Sequence, residues 1–213
     1  MDAILEYVLD RITWLVPLLL SLSVHEWAHA WAASQLGDQT AARQGRLTVD
    51  PLAHIDPVGT FLLPMLGVPF GWAKPVPVQP NNFRADVSLR IGMLWTAAAG
   101  PLSNLVLGLA SGLAYGLAVR SGFSGGLTEA LYTMAMLNAL LAVFNLVPVP
   151  PLDGSRIFDG LCPARLRPAW DRVQALGPLL LVGVVAVPFV LGMSPFTPVL
   201  HVVAGWLTVV AGG

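Results

Sequence analysis

Residues 15–34 read LVPLLLSLSVHEWAHAWAAS, an apolar run interrupted by His25, Glu26 and His29. The run is long enough to enter a bilayer as a helix, and ionisable side chains inside such a helix are costly unless they serve a site. On a helix, positions i and i+4 share one face, so His25 and His29 offer two imidazole nitrogens to a single point. Glu26 is offset by one residue, close to that point but out of line with the pair. Two histidines one turn apart with a carboxylate between them suit a zinc ion with a general base beside it. Scattered at random, the chain's four histidines and three glutamates would give this pattern in about one chain in a thousand, a chance estimate for a motif match.

The surrounding chain fits that setting. Its 213 residues are 55% hydrophobic and 11% charged, with a mean hydropathy of +0.71, where a soluble domain carries about 25% charged residues. An all-α polytopic membrane protein is expected, with the lipid bilayer as its solvent. A net charge of −1 without any basic run argues against nucleic acid as a partner. The single cysteine, Cys162, excludes an internal disulfide framework and reads as a small apolar side chain. MDAILEYVLDRITW at the N-terminus lacks a basic start and a cleavage site, so the first apolar segment is expected to be retained. With no polar stretch of domain size, residues 1–213 read as a single membrane domain. Its core runs from about 12 to 160, and a C-terminal two-helix extension covers about 174–212.

Five stretches are long and apolar enough to cross as helices: about 12–36, 91–119, 127–150, 174–192 and 198–212. HExxH then lies on the first helix. The segment 57–71 (PVGTFLLPMLGVPFG) is shorter and carries three prolines and three glycines, which suits a re-entrant or broken element shielded by protein. The distribution of basic residues agrees. With the N-terminus outside and 57–71 returning to its own side, Arg43, Arg46, Lys74, Arg84, Arg90, Arg156, Arg165, Arg167 and Arg172 face the cytoplasm, and only Arg11 and Arg120 lie outside. This topology puts the histidine pair near the cytoplasmic side, at the depth where the third span ends in NLVPVPPLDG.

A catalytic zinc site takes three protein ligands and keeps an open position. His54, His201 and nine aspartates are the candidates. Asp153 stands out because VPVPP at 147–151 breaks the helix just before it, freeing carbonyls in a way tolerated only beside a cavity; a plain turn residue in LDGS is the alternative. His54, in LAHIDP, would orient a ligand, bind a second metal, contact substrate or serve the turn. His201 reads as an interhelical partner, and Asn104 and Asn138 as amides bonded across helices. Gly108, Gly112 and Gly116 share one face for close helix packing. Trp14, Trp72, Trp95, Trp170 and Trp206 fall near span ends as interface anchors.

HEWAH in the first span, GPLSN at 100–104 and NLVPVPPLDG at 145–154, with DPLAHIDPVGT and FGWAKPVPV between them, resemble the site-2 proteases over residues 20–160 or so. The resemblance is to compact bacterial members without a PDZ or CBS domain, and without the helix that precedes HExxH in some of them. It implies one Zn2+ per chain held by His25, His29 and Asp153, with Glu26 as catalytic base. It also implies Asn145 as a contact for the substrate carbonyl or oxyanion, with His54 and Asn104 as weaker candidates. The expected activity is an intramembrane zinc metalloprotease that hydrolyses transmembrane-helix protein substrates, in regulated intramembrane proteolysis or membrane-protein turnover. Its expected place is the bacterial inner membrane, with the active site near the cytoplasmic side. KPVPVQP at 74–80 suits an edge strand, on which an unwound substrate would pair by strand addition, or else a rigid connection. The competing readings are a membrane metal-ion transporter, which would spread ligands over successive depths, and a zinc-bound non-catalytic scaffold, which would not need Glu26.

Overall fold

The HEWAH run is helical throughout, as its spacing requires. It lies in the second half of α1 (Asp2–Gln35), whose buried alanines, Ala28, Ala30, Ala32 and Ala33, let neighbouring helices come close. The computed structural model describes residues 2–62, 65, 71–191 and 195–213. After α1 come α2 (Thr40–Arg43), α3 (Leu89–Arg120), α4 (Gly126–Leu146), α5 (Asp153–Leu161), α6 (Arg167–Ala175), α7 (Gly177–Leu191) and α8 (Thr197–Ala211). No β-strand forms among the described residues.

Helices α3 and α4 are each long and apolar enough to cross a bilayer, and α6 with α7 forms a third such unit bent by 65°. Ser88 caps α3 through its hydroxyl, which accepts from the Ile91 N–H, satisfying one of the helix's open donors. One face of α3 is exposed and apolar (Trp95, Leu102, Val106, Leu109, Leu113, Leu117), a stripe too long for water and suited to lipid. The opposite face is small and polar, with Gly100, Asn104, Gly108, Ser111, Gly112 and Gly116 buried. Leu18 and Leu22 of α1 pack with Ala73, Leu137 and Leu141, joining α1 to α4.

The glycine stripe of α3 holds helices of this same chain. Gly108 lies against Asn138 and Ala135 of α4, Gly112 against Trp206 and Leu207, and Gly116 against Val210. As the numbers rise along α3 they rise along α8, so the two helices run parallel. Arg120 donates to the Val209 carbonyl at 3.1 Å, and Phe196 meets Phe144 at the far end of α4. The expected alternation of five spans would end segment 198–212 at the other end of α3; it ends beside Arg120, away from the Arg90 end that meets Asp159. The stripe makes room for this arrangement, since a Cβ at Gly112 or Gly116 would collide with Trp206 or Val210.

Segment 57–71 begins as a π-helical turn, Pro57–Leu62, and residues 63, 64 and 66–70 lie outside the described residues. The two ends of the segment meet. The Thr60 hydroxyl donates to the Trp72 carbonyl at 2.7 Å, and the Trp72 N–H to the Gly59 carbonyl at 3.2 Å. Residues 71–79 form no strand; with Pro75 and Pro77 lacking N–H groups, they are tied instead to side chains and loops. Two smaller expectations also change. Trp170 is buried against Phe158, so it does not anchor at an interface, and His201 faces outward from α8.

Candidate metal centre

The first turn of α5 brings Asp153 to the histidines of α1. The ligand-type atoms His25 Nε2 and His29 Nε2 lie 3.0 Å apart, and Asp153 Oδ2 lies 3.2 Å from one and 3.3 Å from the other. Among the described residues this is the group of three able to hold a metal ion. Zinc–ligand bonds of about 2.0–2.1 Å in tetrahedral array separate their ligands by about 3.3 Å, so the triangle has the right size.

Hydrogen bonding explains why the three atoms need a cation. His25 Nδ1 meets the Asn104 amide oxygen at 2.6 Å, and His29 Nδ1 meets the Thr96 carbonyl at 2.7 Å. Both partners only accept, so each Nδ1 carries the hydrogen and each Nε2 presents a lone pair. Asp153 Oδ2 is buried with no hydrogen-bond partner. Three inward lone pairs repel one another unless a proton or a metal ion sits among them. The donor set and its spacing fit zinc.

Two glycines make room for this cluster. A Cβ on Gly100 would stand 2.4 Å from His29 Nε2 and 2.6 Å from His25 Cε1, and one on Gly154 would stand 2.3 Å from the Leu146 carbonyl oxygen. Without side chains there, α3 presses on both imidazoles and the first turn of α5 presses on the end of α4. The helix α4 stops at Leu146 because Pro148, Pro150 and Pro151 follow. At the other end of α5, Arg90 donates to the carbonyls of Asp159 and Cys162, and Arg167 pairs with the Asp159 carboxylate at 2.8 Å. Cations at a helix C-terminus favour its dipole, and here they also fix the helix that carries Asp153.

Glu26 faces a strap formed by residues 74–79. The Val76 N–H donates to Glu26 Oε2 at 2.8 Å. Lys74 donates to the His54 carbonyl and accepts from Arg46, and the Gln79 N–H donates to Asp38 at 2.6 Å. Burial pushes the Asp38 carboxyl up, but the Gln79 N–H, the Thr40 hydroxyl, the Asn82 amide and the Thr40 N–H more than reverse this and hold it below the ordinary carboxylate range.

The remaining residues singled out by sequence fall in different places. Asn104 is fully buried with its oxygen on His25 and its NH2 group on Asn138 and the Ser21 carbonyl. His54 is buried too, its Nε2 on the Thr48 carbonyl at 2.8 Å and its Nδ1 facing Arg46. Asn145 donates to Leu141 within α4. Sequence reasoning passed over Gly100, Thr96 and the Val76 N–H. Gly100 stood within GPLSN, and the alternating prolines of KPVPVQP marked a segment whose few N–H groups would matter.

A helix-borne histidine pair closed by an aspartate from a second helix is a donor set of the kind a catalytic zinc site uses, three protein ligands with a position left open. The sequence model of peptidase family M50 matches residues 116–187. The chain is 40% identical over 184 residues to YwhC of Bacillus subtilis, a protein provisionally designated a zinc metalloprotease, covering 83% of this chain and 82% of that one. Rip2 of Mycobacterium tuberculosis, with the same provisional designation, is 32% identical over 157 residues, covering 74% of this chain and 58% of its own. Zinc metalloprotease MJ0392 of Methanocaldococcus jannaschii is 28% identical over 146 residues, which is 32% of its length. No solved structure matches the chain. The chain belongs to peptidase family M50, the site-2 protease family of zinc metalloproteases, and its apolar helices are those of an integral membrane protein.

Proposed function

We propose that the protein is an intramembrane zinc endopeptidase that cuts transmembrane-helix substrates, with His25, His29 and Asp153 as the zinc ligands and Glu26 as the general base. The observation that carries this reading is the triangle of lone pairs, 3.0–3.3 Å on a side, with an otherwise unpartnered Asp153 oxygen at one corner. A transporter would need ligands at several depths, whereas the cluster among the described residues occupies one.

Zinc held there supplies Lewis-acid activation of water and polarisation of the scissile carbonyl. Glu26 takes the proton of the attacking water and passes it to the leaving amine. The Val76 N–H keeps the Glu26 carboxylate turned towards the strap while this happens. Asn145 uses one amide hydrogen on Leu141 and has a second for the substrate carbonyl. A helical substrate carbonyl is already hydrogen-bonded, so the substrate unwinds before cleavage, and the carbonyls of the strap accept from its freed N–H groups.

In this reading α1, α3, α4 and α8 cross the bacterial inner membrane, while the bent α6–α7 pair enters and returns. The nine basic residues of the 43–90 and 156–172 regions face the cytoplasm, and the metal centre lies near that side. Purified protein should bind one zinc and cleave single-span peptides. Glu26→Gln should retain zinc and lose 100-fold or more of the rate, about the range of general acid–base catalysis; Asp153→Ala should weaken both. Cleavage that persists in Glu26→Gln with zinc bound would remove the site from the reaction.

A further inference from the structure

We infer that Asn138, which touches none of the three lone-pair atoms, is a positioning residue that selects the tautomer of His25. The inference rests on the reading of His25 as a zinc ligand. His29 needs no such help, because its Nδ1 meets a main-chain carbonyl, Thr96, which cannot present a donor. The partner of His25 is a side-chain amide, and an amide can turn over.

What prevents the turn is a directional chain of hydrogen bonds. Asn138 and Asn104 are both 0% exposed. Asn138 Nδ2 donates to the Met134 carbonyl and to Ser21 Oγ, each at 2.8 Å. The Ser21 hydroxyl spends its own hydrogen on the Pro17 carbonyl at 2.6 Å, so it can only accept from Asn138. Both amide hydrogens of Asn138 are therefore committed, and its oxygen faces Asn104 Nδ2 at 2.7 Å. Asn104 then has to aim its oxygen at His25 Nδ1. Turned over, Asn104 would set its oxygen against that of Asn138 and an NH2 group against Nδ1. The ring hydrogen would move to Nε2, the atom that faces His29 and Asp153, and the lone pair meant for the metal would be lost. The other restraint on Asn104, its contact with the Ser21 carbonyl at 3.4 Å, is long and weak.

Two substitutions in the full chain separate this role from simple support of the fold. Asn138→Leu removes the oxygen that orients Asn104. Asn138→Asp, buried and neutral, keeps an accepting oxygen for Asn104 and one O–H donor for Ser21 or Met134. Zinc affinity is measured by competition with a chelator, the unfolding temperature of the apoprotein by calorimetry, and the histidine tautomers by 15N resonance of labelled apoprotein. Asn138→Leu should lower zinc affinity about 10- to 100-fold, the usual effect of a lost outer-shell partner, and shift His25 towards the Nε2–H form. Asn138→Asp should keep the Nδ1–H form and stay within about threefold of wild type on the same scale. Equal losses in the two variants that follow their unfolding temperatures, or an unchanged His25 tautomer in Asn138→Leu, would overturn the inference. If Asn138→Leu does not fold, Asn138→Ala carries the same expectations. His25→Ala is the control: if it retains zinc affinity, the ligand reading has failed, and not the positioning role.

Discussion

Replacing Gly100 by alanine should empty the metal centre while leaving the fold standing. The added Cβ would meet His29 Nε2 at 2.4 Å, His29 Cε1 at 2.5 Å and His25 Cε1 at 2.6 Å, where ordinary contact begins at 3.4 Å. The imidazoles would have to retreat by 3.4 − 2.4, or 1.0 Å. They are held by Nδ1 bonds of 2.6 and 2.7 Å, and zinc ligands tolerate displacements of only about 0.2 Å. Helix α3 cannot yield easily, because Gly108 and Gly112 press it against α4 and α8. Overpacking costs about 1–3 kcal/mol and is offset by up to about 1 kcal/mol of helix propensity, so the apoprotein stays folded. Zinc affinity should fall at least 100-fold, about 2.7 kcal/mol. Chelator competition on detergent-purified protein, with the unfolding temperature with and without zinc, measures both. Zinc bound within about threefold of wild type would refute the packing argument, since a 1 Å shift cannot leave affinity on that scale.

Three further expectations follow from other parts of the molecule. Asp38 binds its proton less readily in the folded chain than in the unfolded one. The unfolded state thus holds more protons between the ordinary carboxylate value, near 3.9, and the lower folded one, and stability falls as pH falls through that window. Protease cutting within 71–84 should therefore rise below about pH 4, the ordinary carboxylate value; Asp38→Asn should show it already at neutral pH and lose the acid dependence, and an unchanged profile would rule out Asp38 as the anchor. Val76→Pro, flanked by prolines already, deletes the N–H on Glu26; cleavage should drop about tenfold, the worth of one hydrogen bond to a charged group, with zinc retained, and loss of zinc would contradict the assignment. A reporter fused after Gly213 should show the same sidedness as one inserted at 121–125, because α8 runs parallel to α3; opposite sidedness would mean the register is wrong.

The grouping of His25, His29 and Asp153 was largely legible because these residues obey short-range rules. His25 and His29 are set by helical spacing, and Asp153 by the prolines that end α4. Asn104 and Asn138 were recognisable as buried amides, but the atom each one meets depends on packing between three helices. Val76 acts through its backbone, which carries no side-chain label. The direction of α8 was out of reach for a different reason. Hydropathy has no sign along the chain, and no charged residue follows Arg172, so the rule that orients spans by their basic flanks has nothing to count there. Packing decides it: Trp206 and Val210 lie against Gly112 and Gly116, and Arg120 bonds to Val209.

The bond from Val76 makes the two oxygens of Glu26 inequivalent. Oε2 accepts at 2.8 Å, while Oε1 has no protein partner among the described residues. A carboxylate in free solution can offer either oxygen and turn about its last bond at will. Here the strap occupies Oε2, and Oε1 is the oxygen left for the proton in the proposed reaction.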